Sequence, residues 1–154
     1  MNYSNSIYSI QVLILFLFVP SLIFAQQQKP SGDKEHVEIY KKPGCMCCDK
    51  WADYLKENGF TVNLTPIDTL QTVKRKNNIT EELRSCHTAF IDGYVVEGHV
   101  PIEAINKLLK EQPDAIGITV PGMPTGTPGM GMDGTPYNVF LFDEEGKKSV
   151  YGKF

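Results

Sequence analysis

The chain has 154 residues, with 42% hydrophobic and 21% charged side chains and a formal net charge of -3. These proportions belong to a single globular domain and exclude a disordered tail, a collagen and a polytopic membrane protein. The mildly acidic balance leaves no basic footprint for nucleic acid. Residues 1–25 carry no charged side chain. Their apolar run from Val12 to Val19, followed by Pro20 and Ala25, reads as a secretory signal peptide cleaved after Ala25. The alternative is an uncleaved anchor, because the run approaches the length of a membrane span. That segment is then the only expected membrane contact. On either reading the body of the protein is periplasmic or otherwise exported. Residues 26–36 are rich in Gln, Ser and Gly and are expected to form a flexible arm.

Residues 37–154 form the expected domain. Val37-Glu38-Ile39-Tyr40 alternates as a strand does, and Lys41 to Gly44 is a turn. Cys48, Trp51, Ala52 and Leu55 recur at helical spacing, which predicts a helix from Cys48 to Asn58 stopped by Gly59. Phe60 to Leu64 predicts a second strand. Asp68 or Thr69 is placed to cap a short helix through Leu70, Val73 and Lys74. Thr88–Ile91 and Tyr94–Glu97 flank Asp92-Gly93, a two-residue hairpin signal. Pro101 stands at the first position of a helix whose apolar face is Ile102, Ile105, Leu108 and Leu109, and Pro113 ends it. Residues 117–136 contain six Gly, four Pro and three Met and predict a long irregular loop. Tyr137–Phe142 and Lys147–Tyr151 close the chain as a hairpin. The order predicts an α/β, thioredoxin-like fold (β-α-β-α-β-β-α) with an added Gly/Pro/Met-rich loop and a C-terminal β-hairpin.

The chemistry concentrates in four cysteines, Cys45, Cys47, Cys48 and Cys86. Cys45 and Cys48 form a C-x-x-C pair at the expected N-terminus of the first helix, where the helix dipole favours thiolate over thiol. Cys86 precedes the third strand, where a thioredoxin-like topology packs the chain against that turn. Three readings follow. Structural disulfides fit an exported chain, although bonding Cys47 to Cys48 or to Cys45 closes a small strained ring. That leaves Cys45–Cys48 with Cys47–Cys86. A dithiol–disulfide exchange catalyst uses Cys45 and Cys48 and gives Cys47 and Cys86 no role. A metal–thiolate centre uses all four sulfurs.

Thiolate-only sites suit zinc, copper(I) or iron–sulfur clusters. Zinc commonly takes paired C-x-x-C knuckles, and Cys86 stands alone. Copper(I) accepts low coordination and bridging thiolates, so crowded sulfurs fit it better, and its cations offset the repulsion between neighbouring thiolates. Met46 lies inside the cysteine cluster, and Met123, Met130 and Met132 lie in the Gly/Pro loop. Thioether sulfur is a soft copper ligand, while the simpler role for these residues is filling gaps beneath the loop. His87 and His99 are imidazole candidates, against capping or core roles. Trp51 reads as core of the first helix.

These segments resemble the exported CopG-like proteins, a family of predicted metal-binding proteins associated with copper resistance. The resemblance covers about residues 37–152. It rests on Tyr40-Lys41-Lys42-Pro43-Gly44-Cys45-Met46-Cys47-Cys48 with Trp51, on Ser85-Cys86-His87-Thr88-Ala89, and on Asp92 to Pro101. It continues through Val120-Pro121-Gly122-Met123-Pro124 and Pro128-Gly129-Met130. It implies a thioredoxin-like fold and copper ligation by Cys45, Cys47, Cys48 and Cys86. The family usually has Gly where Met46 stands, so the turn is stiffer here or gains a sulfur. The expectation is an exported copper-binding protein of copper resistance that holds Cu(I), cycles it with Cu(II), and meets other exported copper-handling proteins. The alternatives are a thioredoxin-like thiol–disulfide oxidoreductase with Cys45 and Cys48 as catalytic residues, or a structural zinc-binding protein. Whether the chain is an enzyme is left open.

Overall fold

The computed structural model describes residues 35–131 and 133–154. The expected signal peptide, most of the arm and Met132 lie outside the described residues. In chain order the elements are β1 (His36–Lys41), α1 (Met46–Glu57), β2 (Thr61–Pro66), α2 (Leu70–Lys76), a short 3-10 turn (Glu81–Leu83), β3 (His87–Ile91), β4 (Tyr94–Glu97), α3 (Ile102–Glu111), β5 (Gly117–Thr119), β6 (Asn138–Phe142) and β7 (Lys148–Lys153). The strands join one mixed sheet in the order β2-β1-β3-β4-β5-β6-β7. β1 and β2 are parallel, as are β4 and β5, and all other neighbours are antiparallel. Each parallel pair needs a crossover, which α1 and α3 supply.

Period-2 alternation sorts side chains onto two faces. Val37, Ile39, Ala89, Ile91, Val96 and Ile118 join the larger core with Trp51, Ala52 and Leu55 of α1 and Ile105 and Leu108 of α3. Each such buried aliphatic or aromatic side chain contributes about 1.5–3 kcal/mol. Val95 belongs to a smaller cluster with Ile79, Leu83 and Phe142. Thus neighbouring Val95 and Val96 enter different clusters. The Asp92-Gly93 hairpin forms as expected, with φ of 47° and 86° at the two residues. Two consecutive positive φ values are what a tight hairpin needs to match strand twist.

Several boundaries move. The sheet begins at His36, within the expected arm, because His36 pairs with Thr61 and the Glu35 carbonyl accepts from the Thr61 N–H. The first helix starts at Met46, two residues early. Pro101 is the extended residue that caps α3 (φ -74°, ψ 154°), one position before the expected site. Residues 117–136 are not wholly irregular, since Gly117–Thr119 form β5. This strand shows no alternation because all three residues are buried. Gly117 is required by close approach: a Cβ there would lie 1.9 Å from the Val95 carbonyl oxygen.

Candidate metal centre

The register of the sheet brings the cysteine segments together. Lys41, the last residue of β1, pairs with His87, the first residue of β3. The turn that follows β1 and the residue that precedes β3 therefore meet at one end of the sheet. Cys45 is the residue capping α1, and its N–H bonds back to the Lys42 carbonyl at 3.3 Å. Helical spacing turns Cys48 inward, where it is fully buried. The Sγ atoms of Cys45, Cys47, Cys48 and Cys86 all lie within 4.8 Å of one another. Cys45 and Cys48 are joined by a disulfide, and Cys47 and Cys86 are free thiols. The disulfide pairing considered from sequence is thus present in half, and the Cys47–Cys86 bond is not formed. Cys47 Sγ lies 3.5 Å from Cys45 Sγ.

The lysine charge that ends β1 is already paired. The Lys41 ammonium is buried, donates to the Cys45 carbonyl and pairs with Asp49. The Cys86 thiol is pushed above its ordinary value by burial first and by the Cys47 sulfur next, with Lys74 opposing. A cation is what such a sulfur needs to ionise.

Cys48 also belongs to a second group, with the two histidines that the sequence offers as weaker candidates than the cysteines. Cys48 Sγ and one nitrogen each of His87 and His99 lie within 4.8 Å of one another, and all three residues are buried. The His87 ring packs at a tilt against Trp51, 4.3 Å between centroids, and against His99, 5.2 Å between centroids. His99 Nδ1 lies 2.6 Å from the Pro128 carbonyl oxygen, which accepts its proton. Among the described residues, no group is in ordinary hydrogen-bond geometry with either nitrogen of His87 or with Nε2 of His99, although the Gly98 backbone acts on the His87 ring. An unpaired buried polar atom costs about 1–3 kcal/mol. Burial, then His99, then Lys74 hold His87 well below the ordinary imidazole range. Burial lowers His99 also, against the Pro128 carbonyl. Both rings are therefore neutral near pH 7, with lone pairs available. Trp51, expected as core, is fully buried and donates to the Val100 carbonyl at 2.9 Å.

The Gly/Pro/Met-rich loop covers this end of the sheet. Met123 brings its Sδ to 2.7 Å from Cys86 Sγ. Gly129 lies against the Cys47 carbonyl and the Trp51 N–H. Met130 is half-buried, whereas Met46 is 72% exposed and points to solvent. An open cleft of about 480 Å³ reaches Cys45, Cys86 and Met123 and is bordered by Lys42, Leu70 and Lys74.

Two residues near the site were missed by sequence reading. Lys74 and Glu97 form an ion pair at 2% and 0% side-chain exposure. The available signals were a carboxylate ending an apolar strand and a lysine four residues after Leu70 on the same helix face.

Two solved structures titled copper resistance protein CopG, forms 1 and 2, match the chain at 36% identity and a TM-score of 0.73. The matches cover 79% of this chain and 98–99% of theirs. The chain belongs to the CopG family. A family model described as a protein of unknown function, DUF411, matches residues 83–130, which include Cys86, both buried histidines and most of the covering loop. No curated protein sequence matches the chain. The C-x-C-C arrangement of the CopG-like proteins falls here on Cys45, Cys47 and Cys48 of the described cluster.

Proposed function

We propose that this chain is an exported copper-resistance protein that takes up Cu(I) through Cys45, Cys47, Cys48 and Cys86, with copper as cargo or substrate. The observation that carries the reading is the convergence of four sulfurs, with the buried imidazoles of His87 and His99 beside Cys48, all soft or borderline donors. Family membership supports copper as the metal, and no comparison points to zinc. His87, His99 and Met123 extend the donor set, and Met130 is close enough in sequence to join it. Met46 is assigned no part, given its exposure. We read the β2-β1-β3-β4 order, with β1 and β2 parallel and β3 antiparallel to β1, as a thioredoxin-like core extended by β5–β7. Residues 1–25 serve as the export signal on this reading. Among the described residues no helix is long and apolar enough to cross a membrane.

The Cys45–Cys48 disulfide adds a redox function. Its reduction takes two electrons and two protons and yields two thiols, completing the four-sulfur set. Oxidation of two Cu(I) to Cu(II) releases two electrons, so the stoichiometries match. The same disulfide favours a second reading, thiol–disulfide exchange at Cys45 and Cys48. Metal and thiol analysis of anaerobically purified protein separates the two. Metal-free protein should show two free thiols before reduction and four after it. Reduced protein should hold at least one copper per chain, and Cys47→Ser with Cys86→Ser should abolish tight binding. Copper below one per chain, or an unchanged affinity in that variant, rules out the copper reading. Loss of disulfide exchange in Cys45→Ser, without copper binding, establishes the second.

A further inference from the structure

The copper reading does not use the buried Lys74–Glu97 pair, although burying two charges costs more than exposed pairing returns. Glu97 ends β4 directly opposite Thr88 of β3. One carboxylate oxygen accepts from the Ser85 N–H at 2.6 Å and from Lys74, and the other accepts from the Thr88 hydroxyl at 2.7 Å. Lys74 also donates to the Thr88 hydroxyl at 3.1 Å. The carboxylate therefore grips the chain on both sides of Cys86, one residue before it and two after. The grip continues to the loop: the Ser85 hydroxyl donates to the Gly122 carbonyl at 2.7 Å, and the Gly122 N–H donates to the Arg84 carbonyl at 3.1 Å. Gly122 precedes Met123, whose sulfur rests on Cys86.

We propose that Glu97, held by Lys74, is a positioning residue that clamps the Ser85–Thr88 segment and so presents Cys86 and Met123 to the C-x-C-C turn. The clamp sits at the end of the sheet where β1 delivers the other three sulfurs. It fixes the one cysteine of the four that lies outside the C-x-C-C turn. A carboxylate suits the task because its two oxygens accept from several donors at once, which an apolar residue of the same volume does not. The inference rests on the copper reading for its purpose, while its geometry is testable without metal.

The test uses two double variants that both remove the buried charges. Lys74→Met with Glu97→Gln keeps an amide oxygen for the Ser85 N–H, and Lys74→Met with Glu97→Leu removes the acceptor. The first readout is the rate at which iodoacetamide alkylates Cys86 in the metal-free protein, with Cys47 on α1 as internal reference. The clamp predicts a several-fold faster Cys86 reaction in the Leu variant, an unchanged Cys47, and near-native rates in the Gln variant. The second readout is Cu(I) affinity and the thiolate-to-copper absorption band. The Leu variant should lose about 10–100-fold in affinity, as supporting residues around metal ligands commonly do, with a shifted band. Native Cys86 reactivity in the Leu variant overturns the clamp. So does an equal rise at Cys47 and Cys86, which marks general loosening, or identical behaviour of the Gln and Leu variants. If the double variants do not fold, Thr88→Val decides, because it removes one arm at constant volume. It must speed Cys86 alone, and an unchanged rate overturns the proposal. A wild-type chain that binds no copper defeats the copper reading and leaves the alkylation result standing.

Discussion

Gly129→Ala tests how tightly the covering loop is seated on the cysteine helix. Gly129 has φ +84°, and a Cβ there would lie 2.9 Å from the Cys47 carbonyl oxygen, 3.2 Å from the Trp51 nitrogen and 3.3 Å from His99 Nδ1. Two of these atoms are backbone of α1 and the third is a buried ring, so none swings aside. The left-handed backbone costs a non-glycine residue about 1–2 kcal/mol. Overpacking a close contact adds about 1–3 kcal/mol. The combined loss of about 2–5 kcal/mol is a large part of the about 5–15 kcal/mol that stabilises a typical domain. Trp51 is the only tryptophan, so its fluorescence reports urea unfolding directly. With a urea slope of about 1–3 kcal/mol per molar, the midpoint should fall by about 0.7–5 M. Gly134→Ala provides the control, because φ is +79° there with nothing within 4 Å of the added Cβ. It should show the backbone cost alone, about 1–2 kcal/mol. If Gly129→Ala unfolds at the same urea concentration as Gly134→Ala, the loop does not press on α1 and the described seating is wrong.

Two further outcomes concern the buried histidines. Both have folded-state values below their ordinary one, so the unfolded chain binds protons that the folded chain resists. The histidines' contribution to the stability of metal-free protein should therefore be whole above about pH 6.5 and fall by up to about 1.4 kcal/mol per pH unit per histidine below it, with the raised Glu97 carboxyl acting in the opposite direction. A flat urea midpoint between pH 7.5 and 5.5 would contradict this. His87→Leu should separate stability from function: removing two unpartnered nitrogens should stabilise the metal-free chain by about 1–3 kcal/mol, while Cu(I) affinity falls. A variant that is both less stable and equally good at holding copper would assign His87 to the core instead.

Much of the local structure was legible in the sequence because short-range patterns carry it. The apolar spacing of Cys48, Trp51, Ala52 and Leu55 marks α1, and all four are fully buried. Asp92-Gly93 marks a turn whose backbone few other pairs adopt at low cost. β5 was not legible, because Gly117-Ile118-Thr119 is too short and too uniformly buried to show alternation. Met46 and Met123 show the limit of composition. Both methionines are solvent-exposed, at 72% and 43%, yet only Met123 rests its sulfur on a cysteine, Cys86. Helix phase decides the first, and the path of an irregular loop decides the second.

The sequence by itself determined the reactive inventory: three thiols within four positions, a fourth before a predicted strand, and methionines in a Gly/Pro loop. Residue type sets donor softness, so soft-metal chemistry is readable without coordinates. Tertiary structure alone decided which donors meet. The Lys41–His87 register places the Cys45 turn beside Cys86. The fold of β3, α1 and the covering loop buries His87 and His99 beside Cys48. It also set Glu97 opposite Thr88, within reach of Ser85 and Lys74. These contacts join residues 9 positions apart (Thr88 and Glu97) and 46 apart (Lys41 and His87). No local propensity encodes such pairings, because sheet register and loop closure are settled by the whole core at once.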